Sequence, residues 1–251
     1  LIRDNIIIQM NKKSVLSVIM LICGERMIIK LTHPFLKKCI DPDGLLKNCS
    51  KFNSFAYKLE KQAIQKATGG DGEIDEDVRN KYKGDGFELF IEAFIRVFGA
   101  DMLICIDPES YKIVDISDYG VDAEGIGLNG KVHTIQIKYR QANCILTAND
   151  SHLSNFTQLS YKSKSSGGFG VDPNDKCKIR RKRIKDTCNM TIIHCGKEIH
   201  YDVKENMLRD VREINRKDIT RRVDDNNIFW DCLRKSWVKA IKKKDKQNEE
   251  E

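Results

Sequence analysis

Apolar side chains at Phe87, Phe90, Ile91, Phe94, Ile95 and Phe98 follow the i, i+3, i+4, i+7 rhythm of one helix face. Asp85 stands where a cap is needed and Gly99 where a helix stops, so a helix is predicted between them. Residues 55–67 carry the same spacing, with Lys, Glu and Gln on the polar side. Asp41, Pro42, Asp43 and Gly44 form a turn signal. The glycine-rich residues 68–72 and the acidic residues 73–77 break the helical pattern as a linker or loop.

After Gly99 the rhythm changes. Residues 101–106 and 111–116 read as extended, separated by Asp107, Pro108 and Glu109. Tyr119, Gly120, Val121 and Asp122 lead into residues 123–130, whose glycines suit a hairpin connection, and residues 132–140 are the clearest strand. A helix over 147–162, capped by Asn149 or Asp150, precedes a Ser/Gly/Asn-rich loop at 163–175. Strands are predicted at 190–193 and within 206–215, and helices at 218–223 and 228–241. Helix, strands, glycine turn, strand, helix, strand and helix in this order predict an α/β or α+β fold with one mixed central sheet. Residues 1–80 then form an N-terminal extension or accessory region, 81–241 the main domain, and 242–251 a charged, frayed tail.

With 251 residues, 40% hydrophobic and 32% charged, the chain is long enough to bury a substantial core. Lys and Arg outnumber Asp and Glu by 44 to 37, a net +7 that suits a polyanionic partner without requiring one. No apolar run approaches the roughly 20 residues of a membrane span. Residues 15–23 are the longest; Lys12 and Lys13 before them imitate a secretory signal, but no small-x-small cleavage pattern follows, so a folded strand or helix is expected. Nine cysteines without a CxxC pair point to an intracellular, reducing compartment rather than a disulfide framework. Cys177, Cys188, Cys195, His194 and His200 match no zinc spacing and read as ordinary side chains.

The candidate chemistry sits on the clearest strand. Alternation puts Thr134, Gln136, Lys138 and Arg140 on one face, and His133, Ile135, Ile137 and Tyr139 on the other. The bland reading is a half-exposed strand; Asp122, fourteen and sixteen residues before Gln136 and Lys138 across the predicted hairpin, changes the odds. Glu88 and Glu92, one turn apart beside the aromatic stripe, bring a second carboxylate within reach if the helix packs on the sheet. Carboxylates, an amide and a lysine converging on one spot are what phosphodiester hydrolysis needs. Hard oxygens hold Mg²⁺, with the Ile137 carbonyl able to add one, and the lysine orients the attacking water or neutralises charge. His133, on the apolar face, reads as a core or supporting residue.

Asp122 followed by Gln136, Ile137 and Lys138 resembles the PD-(D/E)xK nuclease signature in its D…QxK form. That form marks the Mrr-like branch of restriction-endonuclease-like domains, some of them phage or viral and fused to helicases. Gly84 to Glu88 is similar to the first-helix motif, Tyr119 to Asp122 to the GxD entry, and Gln136 to Arg140 to the QxKxR strand. A strand ending near Cys195 and Gly196, and Asn226 with Phe229 and Trp230 opening the last helix, extend the resemblance over residues 84 to about 237. In such domains that aromatic pair is structural.

The resemblance implies a restriction-endonuclease-like core with a mixed sheet flanked by helices, acting as a Mg²⁺-dependent DNA endonuclease that accepts Mn²⁺. It assigns catalysis to Asp122, Gln136, Lys138 and Glu88, and metal binding to Asp122, Gln136, Glu88 and the Ile137 carbonyl. Gln136 departs from the usual second acid, so Glu88 or its rival Glu124 must supply the missing negative charge. Arg140 and the basic run Lys178, Arg180, Arg181, Lys182 and Arg183 are candidate contacts to double-stranded DNA, and pairing of two copies would cut both strands. Aromatics do not interleave with these lysines, so a single-strand stacking platform is not expected. Walker A, GxSxG, HExxH and HNH-like patterns are absent. The rivals are a homing, junction-resolving or repair nuclease of the same fold, an inactive DNA-binding module, and an interaction protein without nucleic acid.

Overall fold

The computed structural model describes residues 28–101, 103–114, 121–147, 189–208 and 211–249, together with Asp150, Leu153 and Phe156. Two short helices, α1 (Phe35–Lys38) and α2 (Pro42–Leu46), precede α3 (Phe52–Ala67) and the long α4 (Glu76–Phe98). A 3-10 turn (Pro108–Ser110) leads to β1 (Lys112–Ile113), β2 (Ala123–Ile126), β3 (Val132–Lys138) and β4 (Ile145–Leu146). Then come β5 (Asn189–His194), β6 (Glu198–Ile199), α5 (Tyr201–Met207), β7 (Val211–Ile214), α6 (Arg216–Val223) and α7 (Asn227–Glu249). The main sheet runs β1-β2-β3-β5-β7: its first three strands are antiparallel, and β3, β5 and β7 are parallel. The architecture is α+β, a mixed five-stranded sheet flanked by helices.

The aromatic stripe made α4 legible, but the helix starts earlier than its glycines suggest. Asp75, not Asp85, is the cap, its carboxylate accepting from Asp77 N and Val78 N at 3.0 Å. Gly84 and Gly86 lie inside the helix. At Gly86 a Cβ would come within 2.5 Å of a Leu59 methyl and 3.1 Å of the Phe35 ring, so the glycine lets α3 and α1 approach. Residues 68–75 are the tight turn of the α3–α4 hairpin, closed by a bridge between Thr68 and Ile74.

Other boundaries also move. Residues 103–106 fold as turns, with an isolated bridge from Ile106 to Gly127, instead of a strand. The start of the glycine-rich segment, Ala123–Ile126, is itself strand, and only the residues after it turn. Asp41 caps a helical turn, its side chain accepting from Gly44 N. The strand expected within 206–215 is β7, preceded by the unexpected helix α5, and α7 continues through the expected frayed tail to Glu249. Leu153 and Phe156 are helical and buried. The expectations for residues 15–23, 163–175 and 176–185 lie outside the described residues.

One sheet face is covered by α4. Phe52, Phe55, Phe87, Phe90, Phe94, Phe98, Phe229 and Trp230 pack there with Ile135, Ile137, Ile193 and Ile214. Residues 31–63 contribute Leu31, Phe35, Leu45 and Leu59 to that same core. Phe229 and Trp230 are fully buried, and the Trp230 indole donates to the Val223 carbonyl at 2.7 Å, so the pair holds α7 to the core. The other sheet face carries a smaller cluster that includes Leu146, Leu153, Phe156, Ile192 and Val203.

Candidate functional site

Asp122 enters the sheet one residue before β2. Its N–H donates to the Ile135 carbonyl at 2.9 Å, and its Oδ2 accepts from Ile137 N at 2.5 Å. Ala123 pairs with Ile135, so Asp122 comes opposite Gln136 in the antiparallel register. A carboxylate bonded to a neighbouring strand's amide lies in line with the backbone, at the place where the main chain of residues 136–138 is also presented. Hairpin pairing thus joins residues the sequence separates.

Lys138 closes β3 and lies beside His194 of β5. Burial pushes its ammonium below the ordinary lysine value; Asp122 opposes that most strongly, Arg140 adds to the lowering, and Glu88 and Asp150 draw it back up. Asp122, Glu88 and Lys138 therefore share one electrostatic neighbourhood. Gln136 is completely buried on the same strand face as Lys138. Glu124 lies across from Thr134, two residues further along β3 from Lys138 than the position opposite Asp122.

The two glutamates of α4 have different surroundings. Glu92 is 0% exposed and accepts from Thr32 N at 2.9 and 3.0 Å, Thr32 Oγ1 at 2.7 Å and His33 N at 3.0 Å, with Arg96 at 3.9 Å. Four bonds to a carboxylate from one strap of chain make it a structural clamp. Glu88 is half-buried, and its Oε2 accepts from His33 Nε2 at 3.0 Å. Tyr111 completes the group. Burial, then the charges of Glu92, Glu88 and Asp122, push its phenol well above the ordinary value. The hydroxyl is buried with no hydrogen-bond partner among the described residues. A buried hydroxyl amid carboxylates, bonded to none of them, fits a site that a water or cation completes.

Arg140 turns its guanidinium to Asp150, at 2.8 and 2.7 Å, and to the Tyr139 carbonyl. His133 is buried on the opposite face and meets Thr191 Oγ1 at 2.7 Å. Buried His194 meets Glu213 at 3.0 Å. Burial would raise the Glu213 carboxyl, but bonds from His194 and Lys204 outweigh it and hold the group at about 2. Lys178, Arg180, Arg181, Lys182 and Arg183 lie outside the described residues, as do Cys177 and Cys188. Cys195 Sγ exchanges hydrogen bonds with the Arg140 backbone at 3.0 Å.

Sequence reasoning missed His33, Tyr111 and Asp150. His33 comes from a segment with no periodic signal, Tyr111 was read only as the start of an extended stretch, and Asp150 only as a helix cap. Among the described residues no group of three or more His, Cys, Asp and Glu side chains could hold a metal ion. Two carboxylates with amide and carbonyl oxygens are hard donors of the kind Mg²⁺ takes. No helix of the described residues is long and apolar enough to cross a membrane.

No family model matches the chain, and no curated protein matches it. Among solved structures, protein VC1899 from Vibrio cholerae is similar over 88% of this chain and 51% of its own, with 13% identity and a TM-score of 0.37. The chain thus spans about half the length of that protein.

Proposed function

We propose that the protein is a metal-dependent DNA endonuclease of the restriction-endonuclease-like class, Mrr-like in its D…QxK pattern. The observation that carries the reading is the Asp122 carboxylate on the Ile137 amide, within electrostatic reach of Lys138 and Glu88. Asp122 and Glu88 would hold Mg²⁺ or Mn²⁺, with the Ile137 carbonyl and the Gln136 amide supplementing them. A bound divalent cation polarises the phosphate and acidifies a water. Lys138, its ammonium weakened by burial, is suited to orient that water and to exchange a proton with it. The backbone bond to Asp122 holds the carboxylate in place before substrate arrives, which removes a reorganisation cost from the reaction.

Double-stranded DNA is the substrate class in this reading, supported by the net charge of +7 and by the basic run at residues 176–185 of the sequence. Cys39, Cys49, Cys144, Cys195 and Cys232 are free thiols, in keeping with a reducing, intracellular setting. Two copies acting together would cut both strands.

The test compares the wild type with Asp122→Ala and Lys138→Ala on plasmid DNA with Mg²⁺. Asp122→Ala should lower cleavage about a thousandfold and Lys138→Ala about a hundredfold. Undiminished cleavage by both variants overturns the site. Salt-sensitive DNA binding without metal-stimulated nicking by the wild type replaces the enzyme with a binding module.

A further inference from the structure

The geometry points to His33, in the segment before α1, as the residue that positions Glu88 for the cation. The inference rests on the metal-site reading above and extends it to a region the nuclease pattern does not include.

Hydrogen bonding fixes the state of the ring. Phe35 N donates to His33 Nδ1 at 3.1 Å, so that nitrogen holds a lone pair. The proton is therefore on Nε2, which donates to Glu88 Oε2 at 3.0 Å. A neutral imidazole in this tautomer is a one-directional strut: backbone to ring, ring to carboxylate. It takes Oε2 and leaves Oε1 as the oxygen for a cation. The ring has little freedom to move, being only 4% exposed.

The strut stands on a fixed base. Glu92 grips Thr32 and His33 through their backbone N–H groups, one turn along the helix that carries Glu88. Helix α4 thus supplies both the residue that anchors the strap and the residue the strap orients. Glutamate has three side-chain torsions, and an unsupported Glu88 would sample several rotamers. Held by His33, it offers the second negative charge that Gln136 cannot supply.

Two substitutions separate this role from a merely structural one. His33→Asn keeps an acceptor where Nδ1 stands, and so the turn to Phe35 N, but cannot reach Glu88. His33→Gln keeps a donor where Nε2 stands but loses the turn acceptor. Mn²⁺ affinity is measured by electron paramagnetic resonance titration of the full chain, beside thermal unfolding and plasmid cleavage. His33→Asn should weaken Mn²⁺ binding about tenfold with little change in unfolding temperature. His33→Gln should bind Mn²⁺ nearly as the wild type does while unfolding earlier. Wild-type Mn²⁺ affinity in His33→Asn, or tenfold loss in a folded His33→Gln, overturns the positioning role and leaves the metal site standing. No Mn²⁺ binding by the wild type removes both. If His33→Asn does not fold, the His33→Gln affinity decides.

Discussion

Glu88 and Glu92 are the same residue type, one helical turn apart on α4, yet their surroundings are opposite. Glu92 is sealed from solvent and its carboxylate is saturated by donors from Thr32 and His33. Glu88 is half-open, oriented by one imidazole, and near a lysine and a second acid. A carboxylate whose lone pairs are all engaged by its own chain has nothing to offer a ligand; one engaged on a single oxygen does. The number and source of donors, rather than the presence of charge, separates the clamp from the candidate ligand.

The largest effect expected from this contrast is on stability. Glu92→Ala leaves two N–H groups and the Arg96 guanidinium without their buried anion, and removing one side of such a cluster costs about 3–5 kcal/mol. Urea unfolding should show that loss as a shifted midpoint. A change under about 1 kcal/mol would mean the strap is held by something other than Glu92, and the contrast between the two glutamates would dissolve.

The two faces of β3 form a second pair. Gln136 and Lys138 point to one face, while His133 is buried on the other, the face of Ile135 and Ile137. Burial, reinforced by the charge of Arg212, lowers the His133 imidazole from 6.5 to about 4. Between those values the unfolded chain binds a proton that the folded chain refuses. Stability is therefore full above pH 6.5 and falls as the pH drops toward 4, by on the order of 2–3 kcal/mol. Replacing His133 with Gln should flatten the stability-versus-pH curve over that window. Parallel curves for variant and wild type would show that His133 is not buried neutral.

Local patterns were readable where the signal is local. The aromatic stripe marks α4, and the alternation from Val132 to Lys138 marks β3 and the face that carries Gln136 and Lys138. The hairpin from Asp122 to Lys138 follows from its glycines, since one turn sets the register of both strands. What was not readable depends on distant partners. The bond from His33 to Glu88 spans 55 positions, and those from Thr32 to Glu92 span 60, so nothing near either glutamate tells candidate ligand from clamp. The start of α4 was misplaced for a related reason: the cap expected at Asp85 put Gly84 and Gly86 at the helix entrance, whereas Gly86 lies inside it and serves contacts with Leu59 and Phe35 from other elements. Propensity registers the local cost of a glycine and not the packing that offsets it.

The smallest stability effect expected belongs to Glu88, and it is the sharpest probe of the comparison. Glu88→Gln keeps a carbonyl oxygen that can accept from His33 and removes only the charge. The half-exposed position and single donor predict a stability change within about 0.5 kcal/mol. The same substitution should weaken Mn²⁺ binding about tenfold, because in the proposed site Gln136 stands where a second acid would be. It should also lower the Lys138 ammonium further, since Glu88 is one of the charges that draw it up. Glu92→Gln should reverse the balance, disturbing unfolding more than metal affinity. Equal effects of the two substitutions on unfolding and on Mn²⁺ would mean that one turn of helix does not separate the roles, and Glu124 would then be the carboxylate to test beside Asp122.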